Sequence, residues 1–292
     1  TKLPTNAELL ALTQKGLQQQ TTAMEEKEVA SSLLTKKPTP GKVVGETKDN
    51  DLAATTYTLS NGVKVTLKKT DFKADEIVMK GMKKGGLNNY GIADKSNVKY
   101  ATSVVASMGF GDFTPTDLEK VIAGKPVSVR TSFDNIENNV SGHSNVKDLE
   151  AMLQLMYLRL TAPRIDEGLF KAYIEKQKMQ IQFISANPQA AFFDTLIGAM
   201  YKNNPLAPTV VPKANDFDAI NMNRAVDIYK KEFSTADGYE FFFVGNIDAA
   251  TALPLIETYI GSLPVANTTP TFKDNGVRPT SGNLVFKKGE DK

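Results

Sequence analysis

The stretch Thr56–Thr70, TYTLSNGVKVTLKKT, decides how this chain folds. Tyr57 and Leu59 alternate with polar neighbours before Asn61-Gly62, and Val63, Val65 and Leu67 do the same after it. A two-residue apolar period is the mark of a half-buried strand. Asn-Gly between two such runs predicts a type I′ turn, because both central residues of that turn need positive φ. The globular part therefore opens with an antiparallel hairpin and not with a strand-helix-strand unit.

Downstream, EIVMKGMKKGG (Glu76–Gly86) reads as a third strand, with Lys68-Lys69 and Lys83-Lys84 as solvated strand ends. A helix follows near 97–108 and breaks at Gly109-Phe110-Gly111. Thr114 or Thr116 caps another through Ile122, which Gly124 ends. KPVSVRTSF alternates Val127, Val129, Thr131 and Phe133 and reads as a strand. NNVSGHS then leads into a long helix with Leu149, Met152, Leu153, Met156 and Leu160 at helical spacing, stopped by Pro163. Helices are expected at 166–185, 189–202 and 223–233. GYEFFFVGNID reads as a fully buried strand, Ala249 to Ile260 as a helix closing at Gly261, and NLVFKK as the start of one more strand. Strands and helices alternate unevenly, so the expected class is α+β. Its sheet is mixed and largely antiparallel, with helices packed on one face.

Upstream, residues 1–40 read as a polar helical arm. Thr5 and Glu8 form a capping box, and Pro38, Pro40 and Gly41 end the arm. Gly41 to Ala54 reads as a linker, and residues 41–292 as one α+β domain. Both ends look cut, so the expectation is a piece of a longer chain, followed by a further similar domain.

The chain has 292 residues, a net charge of +2, one histidine and no cysteine. That balance carries no nucleic-acid stripe, and no apolar run is long enough to span a membrane. Without cysteine there are no disulfides, thiolate-zinc sites or thiol nucleophiles. A catalytic zinc takes three protein ligands, mostly His with Asp or Glu, and His143 alone does not supply them. His143 lies in SGHSN, read as a turn at a helix N-terminus, and no Gly-x-Ser-x-Gly elbow accompanies it. GFGDFT has Thr114 where a dinucleotide loop needs its third glycine, and AGKP ends in Pro126, so it is no P-loop. Asp49-Asn50-Asp51 is too short for a calcium loop. Phe241-Phe242-Phe243 reads as core. The residues describe a scaffold without a catalytic centre.

The order of segments is familiar. YTLSNGVKVTLKKTDFKADEIVMKGMKKGG, GFGDFTPTDLEKVIAGKPVSV, SGHSNVKDLEAMLQLMYLRLTAPRID and YEFFFVGNIDAATALPLIETYIGSLP resemble, in that order, the pitrilysin-like (insulinase-like) zinc metallopeptidases, and among them bacterial envelope-type members. The resemblance implies two similar halves around a chamber. The first half carries His-x-x-Glu-His on the helix after the Gly-Gly strand, with a later Glu completing the zinc site. The second half repeats the fold with that motif usually erased. Here Ala101, Val104 and Val105 stand at the motif's three positions, and Gln180 stands near the later Glu. The resemblance thus implies a non-catalytic second half with no catalytic or metal residue, and zinc only in the intact parent enzyme. Its implied partners are an N-terminal catalytic half, on the same polypeptide or as a separate active subunit, and a peptide substrate. Its implied location is the periplasm or cell envelope. The alternative is a degenerate non-enzymatic subunit, like those of the mitochondrial processing peptidase or the respiratory-complex core proteins.

Overall fold

The structure is a computed structural model that describes residues 5–18, 32–185, 187–283 and 285. The chain divides into two units, residues 1–30 and 31–292.

The first unit contains helix α1, Asn6–Gln18. Its expected capping box is present: Thr5 N donates to Glu8 Oε2 at 2.7 Å, and Glu8 N donates to Thr5 Oγ1 at 3.4 Å. The two bonds satisfy two of the helix's orphan donors. Part of the expected helical arm, residues 19–31, lies outside the described residues. Residues 32–37 are not helical. Leu33 enters the core of the second unit instead and is 4% exposed, and Pro38 bars helix in the residues just before it.

In the second unit, seven strands form one sheet. They are β1 (Val43–Asp49), β2 (Ala54–Leu59), β3 (Lys64–Lys69), β4 (Ile77–Lys84), β5 (Ser128–Phe133), β6 (Glu137–Ser144) and β7 (Glu240–Gly245). Their order is β1-β2-β3-β7-β4-β6-β5. Only β3 and β7 pair in parallel, and every other neighbour is antiparallel. This is the expected mixed, largely antiparallel sheet. The helices of this unit are α2 (Lys95–Met108), α3 (Pro115–Val121), α4 (Leu149–Thr161), α5 (Glu167–Ser185), α6 (Pro188–Met200), α7 (Ala214–Asp218), α8 (Met222–Phe233) and α9 (Ala249–Tyr259). Thr114 caps α3 with a complete capping box to Asp117.

One sheet face is covered. Tyr57, Val65, Met79, Val140, Phe241 and Phe243 share a single core with Val105, Met152, Tyr229 and Ile256 from the helices. The alternate residues point away: Val78 is 46% exposed and Val244 39%. β7 is therefore buried on one face only, not on both as its composition suggests. Close packing sets small residues at particular sites. A Cβ on Gly142 would stand 2.6 Å from Met79 Cε.

Three local readings change. The Asn61-Gly62 hairpin forms, but only Gly62 has positive φ, 85°. Leu59 N donates to Val63 O, and Gly62 N to Leu59 O, both at 2.8 Å. The loop is the three-residue form with glycine in the left-handed position. Asn61 is held otherwise because its Nδ2 donates to Ile260 O at 2.8 Å, beside the end of α9. Second, the supposed linker holds β1, which pairs with β2 from Val43↔Leu59 to Asp49↔Ala54. Third, Glu137–Ser144 is a strand and not a turn, with His143 paired to Val78 and to Ser128. NLVFKK falls largely outside the described residues.

Candidate functional site

Helix α2 follows two short 3-10 turns, Leu87–Asn89 and Ile92–Asp94, after the Gly85-Gly86 pair. It buries Val98, Ala101, Val104, Val105 and Met108, and the middle three are 0% exposed. Asn97 and Asp94 fix its start. Asn221 N donates to Asn97 Oδ1 at 2.8 Å, and Arg224 grips Asp94 through Nε at 2.9 Å and Nη2 at 2.6 Å. That guanidinium holds the Asp94 carboxyl below the usual carboxylate range. Gln180, in contrast, is exposed on α5. The structure does not bring it into the buried setting of the other three. None of the three α2 side chains offers a nitrogen or oxygen donor. Among the described residues no group of three His, Cys, Asp or Glu is placed to hold a metal ion. These positions do not fit a zinc ion.

His143 lies on the open sheet face. Its Nε2 is 3.7 Å from Glu76 Oε1, and Lys73 Nζ donates to the same oxygen at 3.0 Å. Among the described residues it makes no hydrogen bond to a hydroxyl, so no nucleophile-base pair exists there.

The strongest concentration of buried polar chemistry was not foreseen. At the end of β4, Lys83 is 5% exposed and points into the covered face. Its Nζ lies 4.7 Å from the centre of the Tyr239 ring. Burial pushes its ammonium down to about 8, while Glu232 and Asp237 pull the other way. Glu232, on α8, is itself buried and accepts from Tyr90 Oη at 2.5 Å and from Asn138 Nδ2 at 2.6 Å. Asn138 Oδ1 accepts from Gly86 N at 2.9 Å. The Gly-Gly pair makes room for this amide, since a Cβ on Gly85 would stand 2.2 Å from Asn138 Nδ2. Burial and the bond to Glu232 raise the Tyr90 hydroxyl far above the usual phenol range. The cluster ties the sheet end, the turn before α2 and α8 into one unit. A signal for Lys83 was present: Ile77, Met79, Gly81 and Lys83 share one face by strict alternation.

Beside this cluster opens a cleft of 780 Å³. Its walls are the first turns of α2, the 87–90 turn, the β5–β6 turn, the 201–209 loop and the 272–278 segment. Asn89 Nδ2 donates to Thr271 O at 2.9 Å, and Asn275 Nδ2 to Asn88 Oδ1 at 2.9 Å, so the last wall is pinned across the cleft.

No protein-family model matches the chain. A zinc protease PQQL-like protein of Arabidopsis thaliana is 23% identical over 244 residues, covering 82% of this chain and 22% of that protein. The periplasmic protease PqqL from Escherichia coli superposes with a TM-score of 0.72 at 18% identity, over 97% of this chain and 31% of that one. The peptidase M16 inactive domain from Pseudomonas fluorescens superposes with a TM-score of 0.61 at 13% identity, over 75% of this chain and 53% of that one. This chain therefore spans under a third of the length of the Arabidopsis and Escherichia coli proteases and about half of the Pseudomonas chain. Sequence likeness, fold and motif order agree: the chain has the fold of the pitrilysin-like (M16) zinc metallopeptidases, the family it resembles.

Proposed function

We propose that this chain is the non-catalytic half of a zinc metalloendopeptidase. In this reading it forms one wall of a peptide-holding chamber and packs against a catalytic half, where zinc-activated water cleaves the peptide bond. The observation that carries the reading is the trio Ala101, Val104 and Val105. The resemblance implies that they fall at the family's motif positions, and they are aliphatic and wholly buried between sheet and helices. In this reading, the positions that hold the zinc site in a catalytic half serve packing here. The small share of each protease that the chain covers supports a part within a larger enzyme. By the same likeness to a periplasmic protease, the enzyme would work in the periplasm.

The test is direct. The 292-residue chain, purified alone, is expected to hydrolyse no unstructured peptide and to give no stoichiometric tight site in calorimetric zinc titration. One tight zinc site, or peptide cleavage that a chelator stops, would overturn the reading.

A further inference from the structure

The cleft beside α2 holds charges that no ion pair among the described residues neutralises. Lys95 and Lys99 stand one turn apart on α2. Lys95 Nζ donates to the carbonyls of Pro205 at 2.6 Å and Ala207 at 3.0 Å, and Lys99 Nζ donates to that of Thr209. Neither forms a salt bridge with a carboxylate among the described residues, and an ammonium has three donors. Burial lowers both below the usual lysine range, with the charge of Asp216 opposing that. Another wall carries Asp134, in the β5–β6 turn, and Glu137, the first residue of β6. Asp134 N donates to Glu137 O at 2.8 Å, which shapes the turn, but neither carboxylate has an ion-pair partner among the described residues. Asp274 and Arg278, also on the cleft, pair with each other at 2.5 Å and cancel. Leu87, Val98, Ile136 and Phe272 give the cleft apolar surface.

A site with two cations lacking an ion pair on one wall and two carboxylates lacking one on another disfavours a polyanion and a polycation alike. It suits a ligand that carries one charge of each sign, separated by apolar groups. We propose that this cleft binds short apolar peptides whose two termini are both free. The α-ammonium would lie against Asp134 and Glu137, and the α-carboxylate against Lys95 and Lys99. The volume of 780 Å³ falls within the range of small-ligand sites. The inference rests on the cleft alone and holds whether or not the chain stands beside a catalytic half.

The test is calorimetric titration of the 292-residue chain with trileucine, with N-acetyl-trileucine and with trileucine amide. Free trileucine is expected to bind, and blocking either end to weaken it about ten-fold or more, the loss of a hydrogen bond between charged groups. Asp134→Asn in the exposed turn combined with Glu137→Gln at the half-buried start of β6 is expected to abolish the cost of N-acetylation and keep the cost of amidation. Lys99→Met is expected to do the reverse, with circular dichroism confirming the fold. Equal affinity for the three peptides, or no binding at millimolar peptide to folded protein, would overturn the proposal.

Discussion

Tyr90 donates its hydroxyl to Glu232 across 2.5 Å, although 142 residues separate them in sequence. The same carboxylate takes a second short bond from Asn138, so both of its oxygens are engaged. A buried carboxylate stripped of such donors carries an uncompensated desolvation cost.

Tyr90→Phe removes one donor and leaves the ring in place. The expected loss is about 2 kcal/mol, in line with a hydrogen bond to a charged group. Urea unfolding should show a lower midpoint at unchanged slope. A change under about 0.5 kcal/mol would mean that the carboxylate finds another partner.

Lys83 sets a pH dependence of the less usual sign. Its folded pKa of about 8 lies below the ordinary 10.5. Between those values the unfolded chain binds the extra proton, so rising pH favours the folded state. Relative to Lys83→Met, the wild type is expected to gain about 2–3 kcal/mol of stability between pH 7 and pH 10. Denaturant midpoints of the two proteins across that range check it. A constant difference would refute the buried-amine account.

The Asp94–Arg224 pair behaves oppositely. Its carboxyl is held low in the folded state, so its contribution is full above the unfolded carboxyl pKa and fades as pH falls through the lower folded value. Arg224→Ala should cost about 0.5–1 kcal/mol at neutral pH, the range for a partly exposed pair. That cost should vanish in acid below the folded carboxyl pKa. Thermal unfolding of both proteins at the two conditions decides it.

Val104 and Gln180 occupy contrasting environments, and glutamate at each should reveal it. Val104→Glu places a carboxylate in a fully buried site beside other aliphatic residues of α2. It should cost more than about 4 kcal/mol and leave little cooperative melting. Gln180→Glu, on an exposed helix position, should stay within about 0.5 kcal/mol of wild type. A stable Val104→Glu would mean that the site retains a partner for charge.

Much of the fold was legible because its signals are local. The alternation around Asn61-Gly62, the capping residue Thr114 and the helical spacing from Leu149 to Leu160 each announce their element. What stayed hidden depends on distant partners. β6 reads ENNVSGHS, a polar string that becomes a strand because β4 and β5 flank it on both sides. β1, with Glu46, Lys48 and Asp49, is an edge strand whose charges face water, which masks it as linker. At the candidate site, the aliphatic nature of Ala101, Val104 and Val105 was plain in the sequence. The cluster of Lys83, Tyr90, Asn138 and Glu232 was not, because it forms only when β4, β6 and α8 meet.

The position of β7 bears on how the polypeptide is assembled. It lies between β3 and β4, parallel to one and antiparallel to the other. On a ribosome, β1–β3 can pair among themselves, and β4 with β6 and β5, long before Glu240 emerges. The two leaves share no ladder until it does, and long-range pairing of this kind is slow. A nascent chain stopped at Tyr239 would carry two separate ribbons, each with an unguarded rim where the missing strand belongs.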